Sequence, residues 1–431
     1  MKSKGDVVVS VLRSILLEDA PHAFAGAKGF GKDNIRITLC YQTRGLEFLT
    51  LDLPSMDEHL LSLLETGSLP ASGFLSKRRS KVDRRPRFLW DLWSRICDSS
   101  GSLYQEPDPN AILFLRQIFC LGKKLALPCT PERVELARQE YHDIESKIIP
   151  PHLPWDDDDL VGSRCSFERS WLPVDNDQLS FLRSKDVEID RRFLKRLDFV
   201  SGVLVSELGL FDPLDQAGPF SDRYRHGPGA VSDAVSTHYK YVFPHWPRKL
   251  EHSFPFDFCG SESLQPSYYP SEHEPASKLI AVPKTAKGPR LIASEPISHQ
   301  WCQQWIKNQL VDRMKTCRLG KFINTLDQTL SQRLVHSASI HRDLCTLDLS
   351  SASDRVSCRH VEALLASNRS LLTLVHAVRT RYIRDSLTDG REFLRLKKFA
   401  AMGSALTFPI QSIFFLAVVL ASCGASTLKE I

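Results

Sequence analysis

The chain has 431 residues, of which 42% are apolar and 25% charged, a composition that is that of a folded soluble protein and, with no internal repeat or low-complexity tract, excludes a fibrous one. That length allows two or three domains or one large enzyme body. The formal charge of +5 is small for the length, so any polyanionic partner must be argued from where charge sits. The 11 cysteines include no C-x-x-C pair, which points away from a zinc site or disulfide framework and toward a reducing cytosol.

In chain order, "MKSKGDVVVSVLRSILLEDA" predicts a short amphipathic helix rather than a signal peptide, because Arg13 and two serines interrupt its apolar run. "GAKGFGKD" (Gly26 to Asp33) nearly fits a phosphate-cradling loop. Asp33 stands where a hydroxyl should bind magnesium, and a carboxylate there would repel phosphate. "KRRSKVDRRPR" (Lys77 to Arg87) carries seven basic residues and one acid, with Trp90 and Trp93 just beyond. It suits either a solvated face or a nucleic-acid backbone. Helices are predicted for "AILFLRQIFCLGKKLAL" (Ala111 to Leu127) and "PERVELARQEYHDIESKI" (Pro131 to Ile148), the second opened by proline. Four aspartates, Asp156 to Asp159, form an acidic loop expected to be solvated rather than to hold one cation. From Ser253 to Ser277 the chain shows no period and reads as a long ordered loop.

The more regular second half opens with "SKLIAVPKTAKGPRLIASEP" (Ser277 to Pro296). Two short apolar runs flank a Gly-Pro turn, which predicts a β-hairpin carrying Lys278, Lys284, Lys287 and Arg290. It serves equally as a basic surface hairpin or as a phosphate clamp, and its acid, Glu295, could tether one of the cations. In "ISHQWCQQWIKNQLVDRM", Ser298 is the expected helix cap, and Trp301, Trp305 and Ile306 share one face expected to pack inward. "LCTLDL" (Leu344 to Leu349) has the content of a buried strand, with Asp348 near its tip where a carboxylate could leave the core and hold a hard cation. The plainer reading is that Asp348 starts a turn. "SSASD" then turns the chain, Ser351 and Asp354 having capping-box-like spacing, and a helix with Val361, Leu364 and Leu365 inward follows. Finally, Gly403 and Ser404 make a small-residue loop before a helix with Thr407 as cap, Pro409 in its first turn and an apolar run from Ile410 to Ala421. Twelve residues fall short of the roughly 20 that span a bilayer, so a buried helix and no membrane are expected.

In this order, the hairpin, "LDLSSASD" and "MGSALTFPIQS" resemble motifs F, A and B of the replicase β-subunits of single-stranded RNA bacteriophages, which are RNA-dependent RNA polymerases. "HGPGA" (His226 to Ala230) is also similar to a loop of that family. The clear resemblance covers Lys278 to Ser422. Many polymerases carry a second acid five residues after the first. Here that position is Ser353, with Asp354 one further on.

The resemblance implies an α+β right-hand polymerase: residues 1–276 as amino-terminal region and fingers, 277–340 as motif F hairpin and following fingers helices, and 341–431 as a partial palm. It implies nucleotidyl transfer with two magnesium ions, Asp348 holding metal. Lys278, Lys284, Lys287 and Arg290 would line the triphosphate, and Asp354, Ser404 and Thr407 would face the ribose. Template and product RNA, nucleoside triphosphates and host translation proteins are the implied partners, in the cytoplasm of an infected bacterium. From Gly403 onward the sequence contains no aspartate, so the paired aspartates of motif C are absent. The isolated chain is therefore expected to lack the rest of the palm and the thumb, to be inactive and to aggregate. The alternative from another class is a non-catalytic basic RNA-binding protein.

Overall fold

Local signals in the first third become helices. Ser3 caps α1 (Lys4–Ser14): its hydroxyl accepts the Asp6 N–H while the Asp6 carboxylate accepts the Ser3 N–H, a reciprocal capping box. Helices α2 (Phe30–Arg44), α3 (Leu53–Thr66) and α4 (Pro109–Cys120) follow. The protein is described by a computed structural model covering residues 3–70, 80, 82–125, 128–160, 171, 190–214, 224–233, 237–260, 268–285, 288–324, 327, 329–388, 392–427 and 429. These divide into two units, Met1–Ala137 with Ala281–Arg290, and Arg138–Ile280 with Leu291–Ile431.

In the first unit, Leu12, Leu16, Phe48, Leu60, Trp93, Leu115 and Phe119 belong to one fully buried cluster. Helix α4 stops at Cys120, short of the predicted end at Leu127. Gly122 there lies against Leu49, whose carbonyl oxygen would stand 2.7 Å from an added Cβ. The glycine-rich stretch is not a phosphate cradle: the Gly29 N–H is taken by the Asp91 carboxylate at 2.7 Å, and Asp33 is buried. Of the basic run, Lys77, Arg78, Arg79 and Lys81 lie outside the described residues. Asp83 holds Arg85 at 2.8 Å and the Trp90 indole at 3.0 Å, so this tryptophan is tied to an acid inside the run.

The second unit contains α5 (Pro131–Lys147, continuing from the first), α6 (Arg191–Ser206), β1 (His245–Pro247), β2 (Tyr268–Ser271), β3 (Ser277–Thr285) and β4 (Gly288–Ser294), the last two running out into the other unit. Then come α7 (Ile297–Thr316), α8 (Thr329–His341), α9 (Cys358–Leu364), α10 (Arg369–Val378), β5 (Tyr382–Asp385), β6 (Phe393–Arg395) and α11 (Thr407–Ser422). A mixed sheet has the order β4-β3-β5-β6, with β3 and β5 parallel and β5 and β6 antiparallel. The class is α+β, as expected. The core joins Trp155, Trp246, Trp301, Trp305, Val361, Leu364, Leu365, Ile410 and Ile413.

Several local expectations are corrected. Between Ser253 and Ser277 the chain forms a helical turn, Phe256–Cys259, and strand β2, which pairs in parallel with β1. Strand β3 runs on through Pro283, tolerated there because its pairing with β5 ends at Leu279. Ser298 does not cap α7: it is buried inside the helix, and Asp233 instead accepts the Ile297 N–H at 2.9 Å. "LCTLDL" is not a buried strand. No described strand pairs with residues 344–349, every one of which is exposed, Leu347 to 85%. A strand needs a neighbour for its backbone groups, and composition alone supplies none. The capping box falls at Ser357 and His360, not at Ser351 and Asp354, and the helix after it breaks into α9 and α10 at Asn368.

Candidate functional site

The hairpin is anchored at its base. Ser277, Lys278 and Leu279 of β3 lie in register with Ile383, Arg384 and Asp385 of β5. Strand alternation buries Leu279 and leaves Lys278 half-buried. Lys284 and Arg290 are exposed on the outer part of the hairpin, and Lys287 lies outside the described residues. The "HGPGA" stretch has a structural role: the buried Lys240 donates to the carbonyl oxygens of Gly227, at 3.2 Å, and Gly229. Ala230 at its end and Ser232 just after it bond to the hairpin base through the Ser294 hydroxyl at 2.9 Å and the Ala276 carbonyl at 3.0 Å.

The Gly403 loop sits directly on β4. The Ala293 N–H donates to the Met402 carbonyl at 2.6 Å, and Gly403 has φ +123°. An added Cβ would stand 1.9 Å from the Ala293 oxygen, so glycine is needed for both the dihedral and the approach. Ser404 is half-buried and its hydroxyl accepts the Leu406 N–H at 3.3 Å. Leu406 rather than Thr407 is the helix cap. The Thr407 side chain is buried and its hydroxyl donates to the Ala401 carbonyl at 2.6 Å, so it shapes the loop from inside. Behind the loop, Gln303 accepts the Ala405 N–H at 3.2 Å and donates to Glu295 at 3.2 Å.

Among the described residues Glu295 tethers no hairpin cation. It is buried, bonded to Gln303 and the Thr380 hydroxyl, and burial pushes its carboxyl above the usual range. A pocket with room for about one water (about 10 Å³ for the water's centre) is lined by Glu295, Gln303, Arg379, Thr380, Lys398 and Ser404, among others.

The acidic turn is built differently from its sequence appearance. Asp348 is exposed in the extended stretch, while Asp354 lies half-buried in a 3₁₀ turn, Ser353–Arg355. Asp354 accepts from Lys398 Nζ at 3.3 Å, and this lysine is fully buried. Glu145 Oε2 stands 3.7 Å from the same ammonium, which lies 3.3 Å from the centre of the Tyr141 ring. Burial pulls the lysine pKa down, against the two carboxylates. Magnesium binds through several hard oxygens, but among the described residues no group of three His, Cys, Asp or Glu could hold a metal ion. Asp354 is engaged by an ammonium and Asp348 stands apart, so these residues alone do not fit the ion.

The acidic loop binds guanidinium rather than metal. Asp158 pairs with Arg381 at 3.0 Å and Asp156 with Arg395. Arg381 also grips the buried Glu274. Lys398, Glu145 and Gln303 escaped the sequence reading because their partners lie far away along the chain. The adjacent lysines 397 and 398, inside a buried run before the glycine loop, were the available signal.

The sequence profile of the family "RNA replicase, beta-chain" matches residues 259–430, and this segment is similar to that family. The RNA-directed RNA polymerase subunit beta of Qbeta virus (strain MX1) is 34% identical over 155 residues, 36% of this chain and 25% of the relative. The corresponding subunit of Enterobacteria phage SP is 35% identical over 154 residues, again 36% and 25%. The RNA-directed RNA polymerase beta chain of Escherichia phage MS2 is 33% identical over 144 residues, 33% and 25%. The chain thus covers a quarter of the length of each. Among the described residues no helix is long and apolar enough to cross a membrane.

Proposed function

We propose that the chain is part of an RNA-directed RNA polymerase replicating a phage RNA genome in an infected bacterium, with residues 1–340 contributing amino-terminal region and fingers and 341–431 part of a right-hand palm. The observation that carries this reading is the Gly403 loop seated on β4 within the segment matched by the replicase profile. In the proposed reaction the 3′-hydroxyl of the growing RNA loses its proton and attacks the α-phosphate of a nucleoside triphosphate. A new phosphodiester bond forms, the bond to the β-phosphate oxygen breaks, and pyrophosphate leaves. Positioning and charge neutralisation carry such a step.

In this reading Lys278, Lys284, Lys287 and Arg290 meet the triphosphate as point charges and a planar fork. Asp354 and Ser404 face the ribose, whose 2′-hydroxyl marks RNA, and Thr407 holds the loop that presents Ser404. Asp348 would supply one oxygen ligand to magnesium when the ion is bound. Host translation proteins are further partners in this reading.

The test is equilibrium binding of a nucleoside triphosphate to the full chain with and without magnesium. Saturable, magnesium-dependent binding that Asp348→Asn weakens about tenfold or more, with RNA binding unchanged, is the expected result. A chain that ignores nucleotide yet binds RNA with a steep salt dependence would instead be a non-catalytic RNA-binding protein.

A further inference from the structure

Helix α5 lies upstream of the segment matched by the replicase profile, yet one of its faces is committed to the acidic turn. Residues 138, 141, 142 and 145 fall at helical spacings of three, four and seven and share that face. Arg138 pairs with Asp385 at 2.6 Å and Glu392 at 2.7 Å, and His142 Nε2 lies 3.2 Å from the same aspartate. These contacts hold the β5–β6 hairpin. The chain leaving β6 is then caught by Glu145, whose Oε1 accepts the backbone N–H of Lys397 and, at 3.3 Å, that of Lys398.

The same stretch is sewn to the end of the turn. The Cys358 N–H donates to the Lys397 carbonyl at 2.9 Å, and the Phe399 N–H to the Val356 carbonyl at 2.8 Å. Lys398 is thereby fixed in backbone and side chain. Its ammonium is enclosed by the Tyr141 ring, Glu145 and Asp354. A second attachment acts on the other end of the turn: the Ser351 hydroxyl donates to Glu140 at 3.0 Å, and Ser351 holds the left-handed φ of +49°. A serine in that region needs its surroundings to keep it there.

We propose that α5 is the brace of the acidic turn and that Lys398 is a positioning residue, setting the Asp354 carboxylate for the nucleotide. The nucleotide half of this rests on the reading of Asp354 given above; the brace does not. A lysine used only to neutralise Glu145 would have no need of Asp354, and a structural turn would have no need of an exposed helix glutamate at Ser351. The ammonium has three protons, and its three neighbours are an aromatic face and two carboxylates from separate parts of the chain. Replacing it by an apolar group leaves both carboxylates unanswered, whereas arginine keeps the charge.

The experiment uses the full chain with two readouts. The first is hydrogen exchange at the Arg355 and Val356 amides, which bond to Ala352 and Ser353 at 3.3 and 3.2 Å inside the turn. The second is the binding preference for a ribonucleoside over a 2′-deoxyribonucleoside triphosphate. Variants are Lys398→Met, Lys398→Arg and Glu140→Ala, the last at an exposed position where folding is preserved even if the buried lysine proves indispensable.

Exchange about tenfold faster in Lys398→Met and Glu140→Ala, the scale of losing one charge-assisted bond, is expected. Lys398→Arg should restore most of the protection. The ribose preference should fall with the exchange change, and Asp354→Asn should already have removed it, so that Lys398→Met adds nothing in that background. Unchanged exchange in Glu140→Ala and in folded Lys398→Met overturns the brace, whatever the nucleotide data show. Faster exchange with an unaltered ribose preference overturns the positioning role. If the wild-type chain binds no nucleotide, the polymerase reading and the positioning role fall together, while exchange still decides the brace.

Discussion

A methyl group at Gly403 would meet the Ala293 oxygen at 1.9 Å, a backbone atom that cannot retreat without breaking the Ala293–Met402 bond. Gly403→Ala adds backbone strain to that collision, and a loss of about 3 kcal/mol or more in urea unfolding is expected. Asp33 shows the opposite sign. Burial raises its carboxyl from 3.8 to about 6, so the folded state binds a proton more tightly than the unfolded state. Its contribution is therefore favourable below about pH 4, is lost as pH rises toward 6, and is a penalty at pH 7. Asp33→Asn should raise stability at pH 7 by at most about 3 kcal/mol, the gain vanishing near pH 4 in the same unfolding assay. The glycine's need was visible as a small-residue loop before a helix. The buried acid was visible only as a mismatch to a phosphate loop.

Among the elements, the hairpin carries cations on exposed positions. Lys284→Ala and Arg290→Ala should leave the melting temperature within about a degree or two, while each weakens triphosphate binding by about tenfold or more in calorimetry. A collapse in thermal stability with normal binding by the folded fraction would make either residue a structural ion-pair partner. The hairpin, the inward face of α7 and the apolar α11 were legible because their signals are local: a turn between apolar runs, tryptophans at helical spacing, an apolar stretch after Pro409. The Leu344–Leu349 strand was misread because pairing is a property of the neighbour, and no described neighbour pairs with it. Caps shifted by a few residues for a related reason. Asp233, remote in sequence, takes the Ile297 N–H at the start of α7, and Ser298 lies buried inside the helix. Of the candidate site, the sequence offered Lys284, Arg290, Asp348 and Ser404, each marked by a local pattern. It did not show Lys398, Glu145 or Gln303, which hold parts of the site from a distance.

For the molecule as a whole, the second unit depends on carboxylates held ionised among cations. Burial alone would raise Glu274, but Lys249, His299 and Arg381 outweigh it and hold the group well below its usual range. Burial likewise opposes ionisation of Asp385, and the Leu387 N–H, Arg138 and His142 prevail and lower it. Such groups stabilise above their unfolded pKa of about 4, and that contribution is lost as pH falls through the lower folded values. Urea midpoints should therefore drop steeply below about pH 4. Glu274→Gln should cost about 3 kcal/mol at neutral pH by removing the charge that faces Lys249 and grips Arg381, which keeps Asp158, with the gap to wild type closing in acid. The open stretch before the acidic turn has one more consequence, a chemical one. Cys345 is exposed there, three residues before Asp348, and Cys423 is exposed elsewhere in the unit. Alkylation of Cys345 becomes a clock for whatever covers that stretch, with Cys423 keeping time as the internal standard.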